Sequence, residues 1–406
     1  MSEVKKIPEG WLETTLLDAT SFLGDGLHGT PNYSDDGEYY FINGNNLNDG
    51  KIEIKPETKR CSIDEYNKYK KNLNDRTILV SINGSLGYFA YYNNEKCILG
   101  KSACYFNVKE NIDKKFIGYQ IRSTYFQKYI ERLAGGTTIK NVSLKTMREF
   151  PFLIPKDINE QKSIADILTA FDNKIELLQA QNKTLEATAQ TIFAEWFGKY
   201  SVEDELPDGW RVGRLEKIIK YIIDNRGKTP PTIDSKTEGY PLIEVNSITG
   251  NDRNININVV RKFVDNHIYE NWFRKGHPIK GDILISTVGS IGQLGQVYDE
   301  KICIAQNIVA LRSTISGNFL YELLKFNQKE IISIDISSVQ PSIKVPHLLN
   351  IEIIIPDDKT IQKFDTAINS LTNKLFENYK QINMLIKTRD EILPKLLNGM
   401  IRIKNN

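Results

Sequence analysis

Two long segments of the chain place apolar residues at alternating spacings of four and three. The first runs from Ile164 through Leu168, Phe171, Ile175, Leu178, Asn182, Leu185, Ala189 and Ile192 to Trp196. The second runs from Phe364 through Ile368, Leu371, Leu375, Asn378, Ile382, Leu385, Arg389 and Ile392 to Leu396. Such a heptad seam is typical of a helix that packs along a partner helix. The pattern predicts a central helix over residues 158–198 and a C-terminal helix over residues 358–406.

An antiparallel pairing of these two seams suits the sequence, although a parallel pairing stays possible. In the antiparallel register Asn182 faces Asn378, so that two buried amides satisfy each other and fix the register. Arg389 then lies opposite Phe171, where its stem would snorkel or stack. Pro394 is expected to bend or fray the last turn.

Outside these helices the chain repeats itself after about 200 residues. Residues 8–11 (Pro-Glu-Gly-Trp) return as 207–210 (Pro-Asp-Gly-Trp), and 78–87 return as 283–292. Each copy mixes β-rich runs with helical ones; the β-rich runs are 77–82, 283–287 and 350–355, and the helical ones are 116–133 and 318–332. We therefore predict an α/β protein in which two similar mixed α/β domains, residues 1–157 and 199–357, are joined by a long antiparallel two-helix coiled coil.

Composition narrows the function. The net charge is only +2, with 53 Lys and Arg against 51 Asp and Glu, so any binding to nucleic acid must rely on local basic patches. The four cysteines lack paired metal-ligand spacing, which favours reduced thiols in an intracellular protein. The charged start has no apolar signal core, and no run approaches the roughly 18 apolar residues of a membrane span. We expect a cytoplasmic protein without a membrane partner.

Catalytic motifs are not evident in the sequence. Asp49, Glu53 and Lys55 imitate the acidic pattern of a metal-dependent nuclease, but the second copy has an asparagine in place of the acid. We interpret this stretch as a turn leading into a strand with Ile52 and Ile54 inward. There is no Walker P-loop, His/Cys cluster, amino-methyltransferase motif or Gly-rich nucleotide fingerprint.

Several short motifs, taken in order, resemble the DNA specificity (S) subunit of type I restriction-modification enzymes. They are residues 26–31 (Gly-Leu-His-Gly-Thr-Pro), 78–87, 135–143 and 393–399, with second-half counterparts at 226–231 and 340–344. The resemblance covers essentially the whole chain, and it lies in the order module, helix, module, helix.

The resemblance implies two target-recognition domains in inverted orientation, each reading half of a split double-stranded DNA site. The helix pair would dock two modification (methyltransferase) subunits, which restriction (endonuclease/translocase) subunits join. S-adenosylmethionine, ATP and Mg would belong to those partners, and this chain would hold no cofactor and catalyse nothing alone. The helix pair would act as a ruler for half-sites about one helical turn, roughly 34 Å, apart.

Candidate DNA contacts fall in equivalent segments of the two copies. Positions that differ between copies are the better candidates for base reading, and they predict two dissimilar half-sites. The candidates are His28, Asn43, Asn45, Ser85, Thr137, Thr138 and Lys140 in the first copy, and Arg226, Lys228, Glu244, Asn246, Ser290, Gln340, Ser342 and Lys344 in the second. Lys140 and Lys344 are favoured as phosphate or base-edge ligands, and the Gly-Ser turns could offer backbone N–H groups to a phosphate. A solvated Lys140 and a turn or packing role for His28 are the alternatives.

Two other classes of function stay open at this point. One is a single-chain nuclease or methyltransferase, against which the missing catalytic motifs count. The other is a non-catalytic scaffold that binds protein or RNA, which the near-neutral charge allows.

Overall fold

The computed structural model describes residues 7–136, 139–234, 239–250, 252–298, 301–335 and 340–403. The chain forms two compact units, Met1–Ile175 with Met384–Asn406, and Glu176–Asn383. Both long helices contribute to both units, so this division does not test the domain boundaries at 157/158, 198/199 and 357/358, which stay a prediction. None of the described helices is long and apolar enough to cross a membrane.

The first unit is a mixed α/β fold. In chain order its elements are β1 (Trp11–Thr15), α1 (Leu16–Ala19), β2 (Thr20–Asp25), β3 (Tyr39–Ile42), β4 (Leu47–Asn48), β5 (Lys51–Ile52), β6 (Arg60–Cys61), α2 (Ile63–Tyr69), β7 (Thr77–Ser81), β8 (Phe89–Tyr91), β9 (Cys97–Leu99), β10 (Ala103–Val108), α3 (Lys114–Arg122), α4 (Thr124–Leu133), α5 (Leu144–Arg148) and β11 (Pro151–Pro155). An antiparallel sheet has the order β2-β10-β7-β8, and β1 pairs with β11. A three-stranded sheet has the order β6-β3-β9, in which β3 and β9 run parallel.

The second unit repeats this topology. The chain continues with α6 (Ile158–Trp196), β12 (Arg211–Arg214), β13 (Ile219–Ile223), β14 (Tyr240–Ile243), β15 (Phe263–Val264), α7 (Asn266–Asn271), β16 (Ile283–Ser286), β17 (Leu294–Gln296), β18 (Cys303–Ile304), β19 (Ile308–Ser313), α8 (Gly317–Phe326), α9 (Gln328–Ser333), α10 (Val345–Leu349), β20 (Glu352–Ile355) and α11 (Asp358–Leu397). Its sheets are β13-β19-β16-β17, β12-β20 and β15-β14-β18, with β14 and β18 parallel. The duplication predicted from the sequence is therefore a duplication of structure.

The repeated Pro-x-Gly-Trp sequence forms the same turn in both units. The backbone N–H of Trp11 and of Trp210 donates to the proline carbonyl three residues earlier, at 3.1 and 3.0 Å. Gly10 and Gly209 have φ of +77° and +80°, a conformation that glycine adopts without steric cost. The turn leads directly into β12 in the second copy and into β1 in the first.

Alternate residues of the central strands face two different cores. In β7, Ile78 and Val80 join the core that includes Ile164 and Leu396 of the long helices, whereas Leu79 joins a smaller core on the other face. The side chains of Ile78, Leu79 and Val80 are all fully buried, as expected for a strand covered on both faces. The second unit divides β16 in the same way, with Ile283 and Ile285 on one side and Leu284 on the other.

The helical runs predicted at 116–133 and 318–332 are each divided into two helices. Ser123 has extended backbone angles, and its Oγ accepts a hydrogen bond from Phe126 N, so it ends α3 and caps α4. Serine competes with the helical backbone in this way at N-caps. In the second copy the break falls at Asn327, between α8 and α9.

The turn predicted at residues 48–50 is present, but the strand after it is shorter than predicted. Asp49 and Gly50 have φ of +41° and +91° and connect β4 with β5. Because β5 ends at Ile52, the alternation does not continue, and Ile54 is 42% exposed instead of facing inward. In the second copy the corresponding residues Ile257–Val259 form a 3-10 helix.

The long helices pair antiparallel inside each unit. In the second unit the side-chain amide of Asn378 donates to Asn182 Oδ1 at 2.8 Å, and the rings of Trp196 and Phe364 lie 6.0 Å apart. In the first unit Ile164 shares a core with Leu396, as described above. The register predicted from the facing asparagines is confirmed.

The two irregular positions of the C-terminal helix are accommodated locally, in the first unit. Arg389 Nη1 donates to Asp172 at 2.7 Å and Nη2 to Asp390 at 2.8 Å, a pairing that the heptad pattern did not indicate. The helix continues past Pro394 to Leu397, and Asn398 N donates to the Pro394 carbonyl at 3.1 Å. The last turn is therefore hydrogen-bonded.

A buried charge network fixes a loop of the second unit to α6. Arg253 is fully buried, and its Nε donates to Glu186 at 3.0 Å. Its other nitrogens bind Glu322 and, at 3.1 Å, Gln296. The guanidinium also lies 4.4 Å from the ring centre of Tyr321. Full desolvation makes this arrangement costly to break, because each carboxylate would then be buried without its partner.

The four thiols are free and buried. Burial raises the pKa of Cys97 to about 12 and that of Cys303 to about 12. Within the described residues, no group of three or more His, Cys, Asp or Glu side chains is arranged to hold a metal ion.

Candidate functional site

A polar turn follows the central strand of the first unit. Residues 82–88 connect β7 with β8, and Gly84 and Gly87 have φ of +76° and +80°. The Ser81 hydroxyl donates to the Ser85 carbonyl, and the Ser85 side chain is exposed. This Gly-Ser segment is therefore a tight turn between two antiparallel strands.

Lys140 lies beside this turn. The Gly84 N–H donates to the Lys140 carbonyl at 3.0 Å, and Asn83 forms an isolated antiparallel bridge with Asn141. The Lys140 side chain is exposed. Ser85 and Lys140 therefore occupy adjacent backbone segments, while Thr137 and Thr138 lie outside the described residues.

A 3-10 helix, Gly44–Asn46, follows β3 and lies against Ser81 at the start of this turn. The candidate residues Asn43 and Asn45 belong to this segment. Ser102 Oγ donates to Asn43 Oδ1 at 2.9 Å, and the Gly44 N–H donates to Ser102 Oγ at 2.9 Å. Gly44 packs so tightly that a Cβ there would lie 2.3 Å from Ser81 Oγ. Asn43 is thus half-buried and part of the framework, whereas Asn45 is exposed.

The segment that follows β2 contacts the same group of turns. Leu27 bridges Gly100 in parallel, and the Gly100 N–H donates to the Ile42 carbonyl at 2.8 Å. His28 Nε2 lies 2.6 Å from Asp25 Oδ2, and the His28 side chain is 69% exposed. We call the resulting surface the first polar edge; it comprises His28, Asn43, Asn45, Ser85, residues 100–102 and Lys140.

The second unit builds its edge with the same backbone contacts. The Ser286 hydroxyl donates to the Ser290 carbonyl at 2.6 Å, and the Gly289 N–H donates to the Pro341 carbonyl at 3.0 Å. Val288 bridges Ser342. These contacts bring together Ser290, Gln340 and Ser342, and Lys344 is exposed two residues further along.

A 3-10 helix after β14, Val245–Ser247, corresponds to the one after β3. Glu244 begins it and forms an ion pair with Lys262 at 2.8 Å, while Asn246 is exposed. The Ala305 N–H donates to the Ile243 carbonyl at 2.9 Å, as Gly100 does to Ile42 in the first unit. Glu244 is thus engaged within the fold, and Asn246 is the more accessible of the two.

Arg226 and Lys228 follow β13 and are exposed. Arg226 Nε donates to Asp224 Oδ1 at 2.8 Å, and the Arg226 side chain is 39% exposed. The second polar edge comprises Glu244, Asn246, Ser290, residues 305–307, Gln340, Ser342 and Lys344. Arg226 and Lys228 are counted with it because they follow β13, as His28 follows β2 in the first unit.

Sequence reasoning missed two features of these edges. Asp25 and Asp224 hold equivalent positions at the ends of β2 and β13, have side chains that are each 22% exposed, and bind the candidates His28 and Arg226. An aspartate recurring at the repeat spacing was the signal that could have revealed them. The turns at 100–102 and 305–307 gave no comparable signal, because only strand pairing distant in sequence brings them to the edge.

Comparison with known proteins decides the family. The family model for the type I restriction modification DNA specificity domain matches residues 24–187 and again residues 207–388. The chain belongs to this family. The two matches cover well over half of the chain, and the specificity-domain model thus recognises both copies of the internal repeat.

Curated members of the family align along most of the chain. The type I restriction enzyme MjaIX specificity subunit of Methanocaldococcus jannaschii is 26% identical over 81% of this chain and 78% of its own length. The putative MjaX specificity subunit of the same organism is also 26% identical, over 99% and 96%. A crystal structure of the type I restriction-modification S subunit from M. genitalium has 21% identity, covers 98% of each chain and gives a TM-score of 0.59, a likeness of fold.

Proposed function

We propose that this chain is the DNA specificity subunit of a type I restriction-modification complex, and that each polar edge reads one half of a bipartite site in double-stranded DNA. The observation that carries the proposal is the repeated match to the specificity-domain family. The two edges support it, because some equivalent positions, such as Asn43 and Glu244 or His28 and Arg226, present different side chains.

The exposed side chains of the edges have the chemistry of base recognition. Arginine and lysine pair with guanine, and asparagine and glutamine pair with adenine, in the major groove. The first edge offers Asn45, and the second offers Arg226, Asn246 and Gln340. Since these sets differ, the two half-sites should differ in sequence.

Other groups on the edges suit the phosphate backbone, which positions a protein on DNA without reading sequence. Lys140 and Lys344 would supply charge, and the turns around Ser85 and Ser290 would supply backbone N–H groups. With a net charge of only +2, attraction to DNA has to come from such local groups and from partner subunits.

The partners would be two modification subunits, docked on the helix pair, together with restriction subunits. In this proposal S-adenosylmethionine, ATP and Mg are held by those partners, and the present chain supplies sequence recognition alone.

Methylation mapping tests the proposal. DNA from cells that express this chain with its modification subunit should carry methyl groups in a bipartite motif with a constant gap. Cells expressing the modification subunit alone are the control and should lack the motif. Absent methylation, or a continuous motif, would contradict the proposal; a purified chain that methylates DNA unaided would favour the single-chain enzyme.

A further inference from the structure

We propose that Lys101 and Gln306 read bases, one in each half-site, as specificity-determining residues beyond the candidates named above. The inference rests on the proposed function. It follows from where the fold places the two equivalent turns at 100–102 and 305–307.

The first turn occupies the middle of the first polar edge. It links β9 of the three-stranded sheet to β10 of the four-stranded sheet. Gly100 contacts the ends of β2 and β3 through Leu27 and Ile42. Ser102 is bound by Asn43, and its carbonyl accepts from the Ile82 N–H at 3.0 Å. Each of the three neighbouring segments that carry candidates therefore holds this turn in place.

Lys101 lies between these two fixed residues and is itself exposed. The turn is closed by a hydrogen bond from Ala103 N to the Gly100 carbonyl at 3.0 Å. A side chain on a backbone that is already immobilised loses less entropy on binding than one on a mobile loop. The position thus suits a group that must meet a base edge in one fixed geometry.

Gln306 lies in the equivalent turn of the second unit, which two of the three corresponding segments hold. The turn is closed by Ile308 N donating to the Ala305 carbonyl at 3.1 Å. Ala305 is bound to Ile243, and the Asn307 carbonyl accepts from the Thr287 N–H at 2.9 Å. Gln306 is exposed, like Lys101. The turn closure and the hydrogen bonds to the β3/β14 end and to the segment after β7/β16 are common to both units, and the exposed central side chain differs.

The difference has a chemical meaning. Lysine donates to O6 and N7 of guanine, whereas glutamine pairs in bidentate fashion with N6 and N7 of adenine. Lys101 is therefore assigned to a guanine in the first half-site, and Gln306 to an adenine in the second.

Exchange of the two residues, one at a time, tests this assignment in the assembled modification complex. K101Q should change the preferred base at a single position of one half-site, with roughly a 5- to 150-fold loss of discrimination there. Q306K should do the same at a single position of the other half-site. K101M keeps the aliphatic stem and should relax the preference without creating a new one. The untouched half-site reports that each variant is folded and assembled.

K109Q is the matched control, because Lys109 is an exposed lysine of the same unit that follows the opposite end of β10. It should leave the motif unchanged. If K101Q and Q306K both retain the wild-type motif, the inference is wrong while the proposed function stands. If K101Q weakens binding equally on all sequences and lowers the salt slope by about 0.9, Lys101 contacts a phosphate and the inference is also wrong. A wild-type complex without a bipartite motif would instead remove the proposed function.

Discussion

The side-chain amide of Asn378 donates a 2.8 Å hydrogen bond to Asn182 Oδ1 across the paired helices of the second unit. Asn378 is fully buried and Asn182 nearly so. A buried amide costs free energy unless it is hydrogen-bonded, so each side chain makes the other tolerable at its heptad position.

The single substitution Asn182→Leu should therefore destabilise the chain by about 1–3 kcal/mol, because it removes one of the two acceptors of the buried Asn378 amide and leaves it only Gln181 Oε1. The double variant with Asn378→Leu should recover most of that loss, because two leucines pack against each other and leave no amide to be hydrogen-bonded at either position. Urea unfolding of both variants measures the coupling, with Lys183→Leu, at an exposed neighbouring position, as control. Additive losses would show that the two amides do not act together.

Removal of the buried Arg253 guanidinium should lower the free energy of unfolding by more than the loss of Asn182 does. Arg253→Met leaves Glu186 and Glu322 buried without their counter-charge, and we expect a loss of about 3–5 kcal/mol. The triple variant that also replaces both glutamates by leucine should regain much of the stability. A triple variant no more stable than Arg253→Met would mean that packing, and not unpaired charge, sets the loss.

The stability of the second unit should also depend on pH through Glu322. Burial raises the pKa of Glu322 from 4.5 to about 7, so the folded chain binds a proton that the unfolded chain has released. The associated stability is fully present below pH 4.5 and is lost as the pH rises through about 7. The unfolding free energy of the wild type, relative to Glu322→Gln, should therefore fall between pH 5 and pH 8. A constant difference would contradict this cause.

Asp224 should act as a positioning residue for Arg226. Asp224→Asn removes the carboxylate that holds the guanidinium and also removes a negative charge from the proposed DNA-binding surface. Affinity for random duplex should rise slightly, while discrimination at the base read by Arg226 falls. Asp224→Glu should restore part of the discrimination. Asp208→Asn removes the same charge outside the second polar edge and should leave discrimination intact; if both asparagine variants behave alike, charge alone is responsible.

Lys140→Ala should weaken binding of the assembled complex to all sequences alike and reduce the slope of log K against log salt by about 0.9, the value of one phosphate contact. Lys344→Ala should have the same effect through the second edge. Lys109→Ala is the control at an exposed lysine outside the polar edges, and it should leave the salt slope unchanged. An unchanged slope would remove Lys140 from the interface.

The helix pair could be predicted because its apolar residues recur at heptad spacing. The duplication could be predicted because the same short motifs return after about 200 residues. A heptad seam and a facing pair of asparagines determine register over short distances, and the paired helices follow from them. Motif order then pointed to the family that the comparisons show.

The convergence of the candidates could not be predicted in the same way. It depends on the parallel pairing of β3 with β9, and on the contact between Gly84 and Lys140. No local pattern encodes such pairings. The buried network was equally hidden, because Glu186 and Glu322 lie 67 and 69 residues from Arg253, which alone resembles a solvated loop arginine.

The order in which the two units can complete their cores during synthesis follows from how each is divided along the chain. Glu176–Asn383 is continuous and holds all of its own segments once residue 383 has been made. The other unit takes Leu393, Leu396 and Leu397 into the same core as Trp11 and Ile78 of its own strands. This core is therefore complete only after residue 397 has been made, and until then the surface that these leucines cover is exposed in the growing chain, where uncovered apolar surface favours aggregation.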